Sequence, residues 1–467
     1  MAMKITSQNV QFDADLLKKY DKSVPRYTSY PPATELKTEV GEIDFRAGIA
    51  AGNHKKTPIS LYCHIPFCET ACYFCGCNTI ITGNKNIAPR YLEYLTQDIN
   101  QTSALISPQR KVNQIHWGGG TPNYLNLSQI DELFNHLVKN FTIEDKAEIS
   151  IEINPRYIDR NYIFFLKSLG FNRISFGIQD FNPKVQEAIN RIQPESMLFN
   201  VMNWIREAGF EGANVDLIYG LPFQTLETFK ETVQKTIKLN PDRIALFNFA
   251  YMPWLKAAQK NISEADLPKA AEKLAIFQMT IEELNSNGYV YIGMDHFAKP
   301  NDELAIAQQE GKLHRNFQGY TTKPESDLFA FGVTSISMLH DVYVQNYKGL
   351  KGYYQALDEG KLPIEKGVSL HRDDIIRRAI IMELMCQFEL NKDHFEEKYN
   401  LHFDLDFDQY FANELVDLQP LEADGLVKLY SDRIEVTPPG RLLIRNVASV
   451  FDPYLKGRKE QSFSKAI

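Results

Sequence analysis

The sequence predicts an α/β protein: an incomplete barrel of six βα units, preceded by an N-terminal arm and followed by a mainly helical C-terminal domain. Between about residues 57 and 298, short apolar runs alternate with amphipathic segments, the rhythm of a parallel sheet whose crossovers are helices. At 467 residues the chain is also too long for a single ordinary core, so a barrel-sized domain plus a smaller one is expected. Hydrophobic residues at 44% and charged residues at 24% are globular proportions. No apolar run approaches the roughly 18 residues of a membrane span, and a formal net charge of -8 argues against broad nucleic-acid or anionic-membrane binding. A soluble, cytoplasmic protein is expected.

Residues 1–45 are polar and irregular, with Pro25, Pro31 and Pro32 bracketing the aromatic string Arg26 to Tyr30; they read as an arm lying on the surface. Residues 46–369 make the barrel with an extension. Candidate strands are 59–67, 112–117, 147–153, 173–178, 213–218 and 243–249. Ser128 followed by Asp131 reads as a capping box, Pro183 sits where a first-turn proline belongs, and Gly170 and Gly209 are placed as helix stops. The residues with chemical potential gather where these strands end, the face on which barrels carry their chemistry. A cysteine loop follows the first strand, Gly118 to Pro122 the second, Glu152 ends the third, Gln179 follows the fourth, Asp216 lies on the fifth and Ala250 follows the sixth.

Residues 370–467 open with an amphipathic helix, 373–388, and continue to short strand-like runs near 428–430 and 433–437, a helix-then-wing pattern. Residues 371–467 hold 18 Asp and Glu against 13 Lys and Arg, the wrong sign for phosphate contacts, so this domain is expected to cover the barrel mouth. Cys386 on its helix reads as a core residue.

Five of the six cysteines lie between Leu61 and Asn78. Cys68, Cys72 and Cys75 have C-x3-C-x2-C spacing on a loop leaving the first strand, so three thiolates can converge on one centre. Iron–sulfur or zinc ligation explains such crowding. Disulfides fit a cytosolic chain badly, whereas a zinc site with Cys77 as fourth ligand remains the alternative. Cys63 faces away from Tyr62 and His64 by strand alternation and reads as buried packing. Either Tyr62 and His64 both point toward the site or both toward the helices.

C-x3-C-x2-C with Phe74 before the third cysteine resembles the radical S-adenosylmethionine (SAM) superfamily. The fuller string from His64 to Asn78, with the segment Pro25 to Pro31, is similar to the oxygen-independent coproporphyrinogen III oxidase (dehydrogenase) family. The likeness continues through Gly118 to Pro122, Phe176 to Asp180, Arg315 to Tyr320 and Gly440 to Asn446, essentially the whole chain. It implies an open radical SAM barrel and one 4Fe-4S cluster on Cys68, Cys72 and Cys75, with one iron free to bind SAM. It implies two SAM molecules. Tyr62, Gly119, Glu152 and Ile336 match contacts of the first; Phe74, Gly120, Thr121, Gln179, Arg191, Asp216 and Ala250 match contacts of the second. Tyr251 stands where relatives are expected to have histidine, so no role passes to it.

The resemblance further implies oxidative decarboxylation of two propionates of coproporphyrinogen III to vinyl groups, giving protoporphyrinogen IX in haem synthesis without oxygen, through a 5′-deoxyadenosyl radical. Cys77, His64 and Tyr62 are the candidate catalytic residues: Cys77 as a hydrogen-bonding or proton-donating thiol, and His64 as a polar or proton-relay partner. A flavodoxin- or ferredoxin-like protein would donate electrons to a monomeric enzyme. Arg26 would bind a substrate carboxylate from an arm reaching the site. The rival is a haem-binding chaperone of the same superfamily, against which Cys77 and the Pro25 to Pro31 segment speak.

Overall fold

The computed structural model describes residues 10–323, 326–401 and 405–455; expectations about the ends of the arm and of the C-terminal domain lie outside the described residues. Two compact units emerge, the larger from Glu35–Met279 with Glu325–Ser369, the smaller from Met1–Thr34, Thr280–Pro324 and Leu370–Ile467. This grouping differs from the contiguous division at 45 and 369 read from the sequence. Segments far apart in the chain share a core, which local patterning does not reveal.

The larger unit is the expected open α/β barrel. Its parallel strands are β1 (Ile59–Ile65), β2 (Lys111–Gly119), β3 (Thr142–Ile153), β4 (Arg173–Gln179), β5 (Gly212–Tyr219) and β6 (Arg243–Asn248), each paired with the next in chain order. Leu61, Cys63 and Ile65 of β1 and Ile115 and Trp117 of β2 are fully buried, which is why these runs read as continuous apolar stretches. Trp117 meets Phe171 edge-on at 5.4 Å, and Phe171 in turn packs on Phe134.

On the other side of β1 come β7 (Asp327–Phe331), β8 (Ile336–Met338), β9 (Val342–Asn346) and β10 (Ile364–Ser369). The first is parallel to β1 and the rest antiparallel. The order runs from β10 through β1 to β6. These short extension strands carried no readable period. A buried pair, Arg110 Nη2 to Asp327 Oδ2 at 2.5 Å, ties β7 to the segment entering β2.

Local readings of the sequence need two corrections. The first strand stops at Ile65 rather than 67, because Pro66 has no N–H for the ladder; Phe67 and Cys68 pair instead with Ile80 and Ile81, closing the base of the cysteine loop. The helix Leu127–Asn140 is capped by Asn126 with Gln129, two positions before the expected Ser128 and Asp131. Asn126 supplies the side-chain acceptor first, so Ser128 falls inside the helix. Asn182 caps the helix that starts with Pro183, and Gly170 ends its helix at φ 110° as expected.

In the smaller unit the helix Arg372–Gln387 precedes a three-stranded antiparallel sheet, in which Arg433–Val436 lies between Val427–Leu429 and Glu389–Asn391. The segment read as a surface arm is not on the surface: Tyr27 and Tyr30 are 1% and 0% exposed. Arg445 donates to the carbonyls of Val24 and Pro25, Asn446 Nδ2 to that of Tyr20, and the Tyr27 hydroxyl to Asp452. The Gly440 to Asn446 motif thus holds the N-terminal segment. No helix among the described residues is long and apolar enough to cross a membrane.

Candidate active site

The cysteine loop leaves β1 at the C-terminal end of the sheet and is tied down at both flanks. Thr82 N–H donates to Cys68 O, Tyr73 N–H to Ile189 O, and Asn190 Nδ2 to Ala71 O. Phe74 and Tyr73 pack against the apolar cluster of Val185, Ile189, Ile218, Leu221, Phe249 and Ile262, so the aromatic pair anchors the loop as well as shielding it. All six cysteines are free thiols.

Cys68, Cys72, Cys75, Cys77 and Phe74 face one cavity of about 530 Å³. The opposite wall brings together Gly119, Gly120, Thr121, Glu152, Gln179, Arg191 and Asp216, drawn from the ends of β2 to β5. A 3.2 Å contact joins Thr121 Oγ1 to Cys68 Sγ. Burial pushes the Cys68 thiol up to about 11, while the hydrogen bond from the Cys77 side chain pulls the Cys75 thiol down to about 6. Cys77 itself is exposed.

The glycines of this wall are demanded by protein neighbours. Gly119 has φ +116°, and a Cβ there would stand 2.7 Å from the His64 ring; at Gly120 it would stand 2.7 Å from the Pro66 backbone. They let β2 end against β1. Glu152 receives the Gly119 N–H at 3.4 Å and lies 3.5 Å from His116 Nε2. Asp216 accepts from Asn214 Nδ2 at 2.9 Å, and burial, reinforced by Glu152, lifts its carboxyl to about 6.

Four expected site residues do not line this cavity. Tyr62 and His64 stand on one face of β1, joined by Tyr62 Oη to His64 Nδ1 at 3.0 Å. Tyr62 also stacks on His116 at 5.9 Å. His64 is 6% exposed, and burial lowers its imidazole to about 4, leaving it neutral. Ala250 follows β6, and its carbonyl accepts from Gln259 Nε2 at 3.1 Å. Ile336 opens β8 and is outside the cavity lining. Tyr251, given no role, donates to Ile262 O. In the smaller unit Arg26 Nη2–H donates to Asp295.

Three residues were missed in the sequence. Gln259, 1% exposed, donates to both Phe74 O and Ala250 O and so ties the cysteine loop to the segment after β6. Lys256 Nζ reaches Cys77 O at 3.4 Å. Arg156 Nη2 lies 3.7 Å from Cys72 Sγ, whose other neighbour is Arg191 Nη1 at 3.5 Å. The only available signal for Arg156 was its place just after β3.

A loop of thiols at the C-terminal end of the first strand of an open parallel barrel, opposite a polar wall, defines the radical SAM class. The Radical SAM superfamily model matches residues 62–236, and the HemN C-terminal domain model matches residues 370–443. The oxygen-independent coproporphyrinogen III oxidase of Synechocystis sp. is 62% identical over 466 residues, spanning 100% of both chains. The Escherichia coli K12 protein of that name is 49% identical, over 98% of this chain and 99% of its own. A solved structure of the E. coli coproporphyrinogen III oxidase, described as a radical SAM enzyme, superposes with a TM-score of 0.91 at 48% identity, over 96% of this chain and 100% of that one.

The chain belongs to the oxygen-independent coproporphyrinogen III oxidase family. Membership implies a 4Fe-4S cluster and SAM. The residues present fit both: Cys68, Cys72 and Cys75, with Cys77, border the cavity as free thiols, and its wall holds two buried polar atoms without a partner, Gln179 Oε1 and Arg191 Nε.

Proposed function

We propose that this protein removes carbon dioxide from two propionate side chains of coproporphyrinogen III without oxygen, leaving vinyl groups and giving protoporphyrinogen IX for haem synthesis. The observation that carries the reading is the set of three C-x3-C-x2-C thiols facing a polar cavity in a chain alike over its whole length to oxidases of that name. When bound, the cluster and SAM supply the one-electron chemistry that takes a hydrogen atom from an unactivated carbon. No side-chain base removes a proton from a propionate β-carbon, so this is the chemistry the substrate requires. Each vinyl group formed costs the propionate one hydrogen atom, one carbon dioxide and one further electron. The reaction is therefore an oxidation and needs an electron acceptor.

In this reading Cys68, Cys72 and Cys75 hold the cluster, and two SAM molecules bind at once. Glu152 meets an ammonium group, Arg191 a carboxylate, and Gln179 and Asp216 the ribose or amino-acid groups. Tyr62, Gly119 and Ile336 serve the first SAM, and Phe74, Gly120, Thr121 and Ala250 the second. His64, bonded to Tyr62, relays a proton, and the exposed Cys77 thiol donates one or a hydrogen bond toward the substrate. A flavodoxin- or ferredoxin-like protein supplies the electrons to a cytoplasmic monomer.

Anaerobic turnover with SAM, a reductant and coproporphyrinogen III tests the proposal. A tripropionate monovinyl intermediate should precede protoporphyrinogen IX. SAM cleavage with all four propionates retained, together with tight haem binding, would instead establish a haem chaperone. Equilibrium binding should show about two SAM equivalents per chain, and a clean single equivalent would contradict the paired arrangement.

A further inference from the structure

The chain that follows β6 makes a turn at 253–255 and then one short helical segment, Ala257–Asn261, all within the larger unit. A single buried side chain holds it. Gln259 Oε1 accepts the Met252 N–H, its N–H donates to Lys256 O at 3.0 Å, and its Nε2 donates to Phe74 O and Ala250 O. Leu255 N–H and Lys256 N–H both donate to Met252 O. The turn is therefore a fixed structure, tied through Phe74 to the cysteine loop.

Its side chains are not those of an ordinary surface turn. Trp254 is 74% exposed and Leu255 68%, two large apolar groups in succession. Scattered exposed apolar residues need no explanation, whereas adjoining ones beside a cavity mark a binding surface. Leu255 lines the cavity of the cysteines, and so does Ile81, 47% exposed, from the strand that closes the cysteine loop. Residues that line a cavity and still face solvent stand at its opening, so this opening has apolar edges.

Two cations line the same cavity, Arg191 and Lys256. Arg191 is buried and donates to Gly177 O at 3.0 Å, with Cys72 Sγ at 3.5 Å. Lys256 is half-buried, and the one hydrogen bond of its ammonium among the described residues goes to Cys77 O at 3.4 Å, a neutral acceptor. An ammonium has three N–H groups, so two are left for a ligand. Apolar edges with one uncommitted cation match an anion that carries its carboxylates on an apolar ring system. We propose that residues 254–256 receive the tetrapyrrole at the cavity opening, Trp254 and Leu255 against its apolar rings and Lys256 on a propionate carboxylate. The inference rests on the proposed function and adds the residues that take its substrate. Gln259 is the positioning residue, because it fixes this turn over the thiols.

The test compares binding of coproporphyrin III, the air-stable tetracarboxylate, with that of its uncharged tetraamide on the reconstituted full-length protein. Lys256→Gln should weaken the tetracarboxylate about tenfold and leave the tetraamide as in wild type, and Lys256→Arg should restore the loss. Added salt should weaken the tetracarboxylate less in Lys256→Gln than in wild type. Trp254→Ser and Leu255→Ser, both at exposed positions that the fold tolerates, should weaken the two ligands alike, by about fivefold. SAM stoichiometry should stay at the wild-type value throughout. Unchanged coproporphyrin affinity in these variants overturns the subsite while leaving the reaction intact, as does an equal loss of tetraamide binding in Lys256→Gln. Unchanged affinity with slower cluster reduction by a reduced flavodoxin, but not by dithionite, assigns the opening to a donor protein and overturns the subsite as well. A wild-type protein that neither binds coproporphyrin nor converts coproporphyrinogen III overturns both the reading and the subsite.

Discussion

Cys72 is flanked by two guanidinium groups, and N–H···S hydrogen bonds to a cluster's sulfurs raise its reduction potential by stabilising the added electron. Arg156→Met should therefore make the reconstituted cluster harder to reduce, seen as a more negative midpoint in a redox titration, with iron content unchanged. An unmoved midpoint would show that the 3.7 Å contact is incidental. Cys77 gives the complementary case. In the proposed arrangement Cys68, Cys72 and Cys75 hold the cluster and a fourth thiolate would close the iron that SAM needs, so Cys77→Ser should keep its iron and cluster absorbance while turnover falls; loss of the cluster would contradict this. That Cys68, Cys72 and Cys75 meet at one cavity was legible because it is carried by spacing within one loop. Arg156 was not, since it meets Cys72 from 84 positions away, and only the folded barrel brings the ends of β1 and β3 together.

The strand β1 that presents the cysteine loop is held from behind by a buried polar network. Tyr91 donates to His64 O at 2.6 Å and receives Val333 N–H. On the same helix, Ile87–Ser103, Asp98 accepts from Gly332 N–H, Asn346 Nδ2 and the Tyr353 hydroxyl. Burial raises the Asp98 carboxyl from 3.8 to about 7 despite those donors. Because the folded state binds this proton more tightly than the unfolded chain, the stability it contributes is complete below about pH 4. It is lost as pH rises toward 7, by roughly 4 kcal/mol over the interval. Asp98→Asn should flatten that part of the profile: the stability difference between pH 5 and pH 8 in denaturant unfolding should be smaller in the variant than in wild type by roughly 2–3 kcal/mol. Equal pH dependence in the two would refute the network's protonated state. None of this was readable beforehand, because Asp98 lies on an ordinary amphipathic helix and its partners come from the extension strands. The six barrel strands were readable because each is a buried apolar run bounded by turn residues.

At the scale of the molecule, the barrel and the C-terminal helix followed from periodicity, whereas the grouping of 280–324 with the N- and C-terminal segments did not. The N-terminal tyrosines show why. Their sequence is polar and rich in proline, yet Tyr27 and Tyr30 are buried, in a segment held where Arg445 donates to Pro25 O and Tyr27 to Asp452, more than 400 positions on. Whole-length likeness to the family supplied what composition could not, namely the reaction. In the proposed reaction the cavity beside Cys68, Cys72 and Cys75 directs hydrogen removal from a propionate β-carbon. The most direct measurement uses coproporphyrinogen III deuterated at the propionate β-carbons in an anaerobic turnover, with mass analysis of the nucleoside formed from SAM. Deuterium should appear in 5′-deoxyadenosine as vinyl product accumulates; vinyl product formed alongside unlabelled 5′-deoxyadenosine would contradict the account.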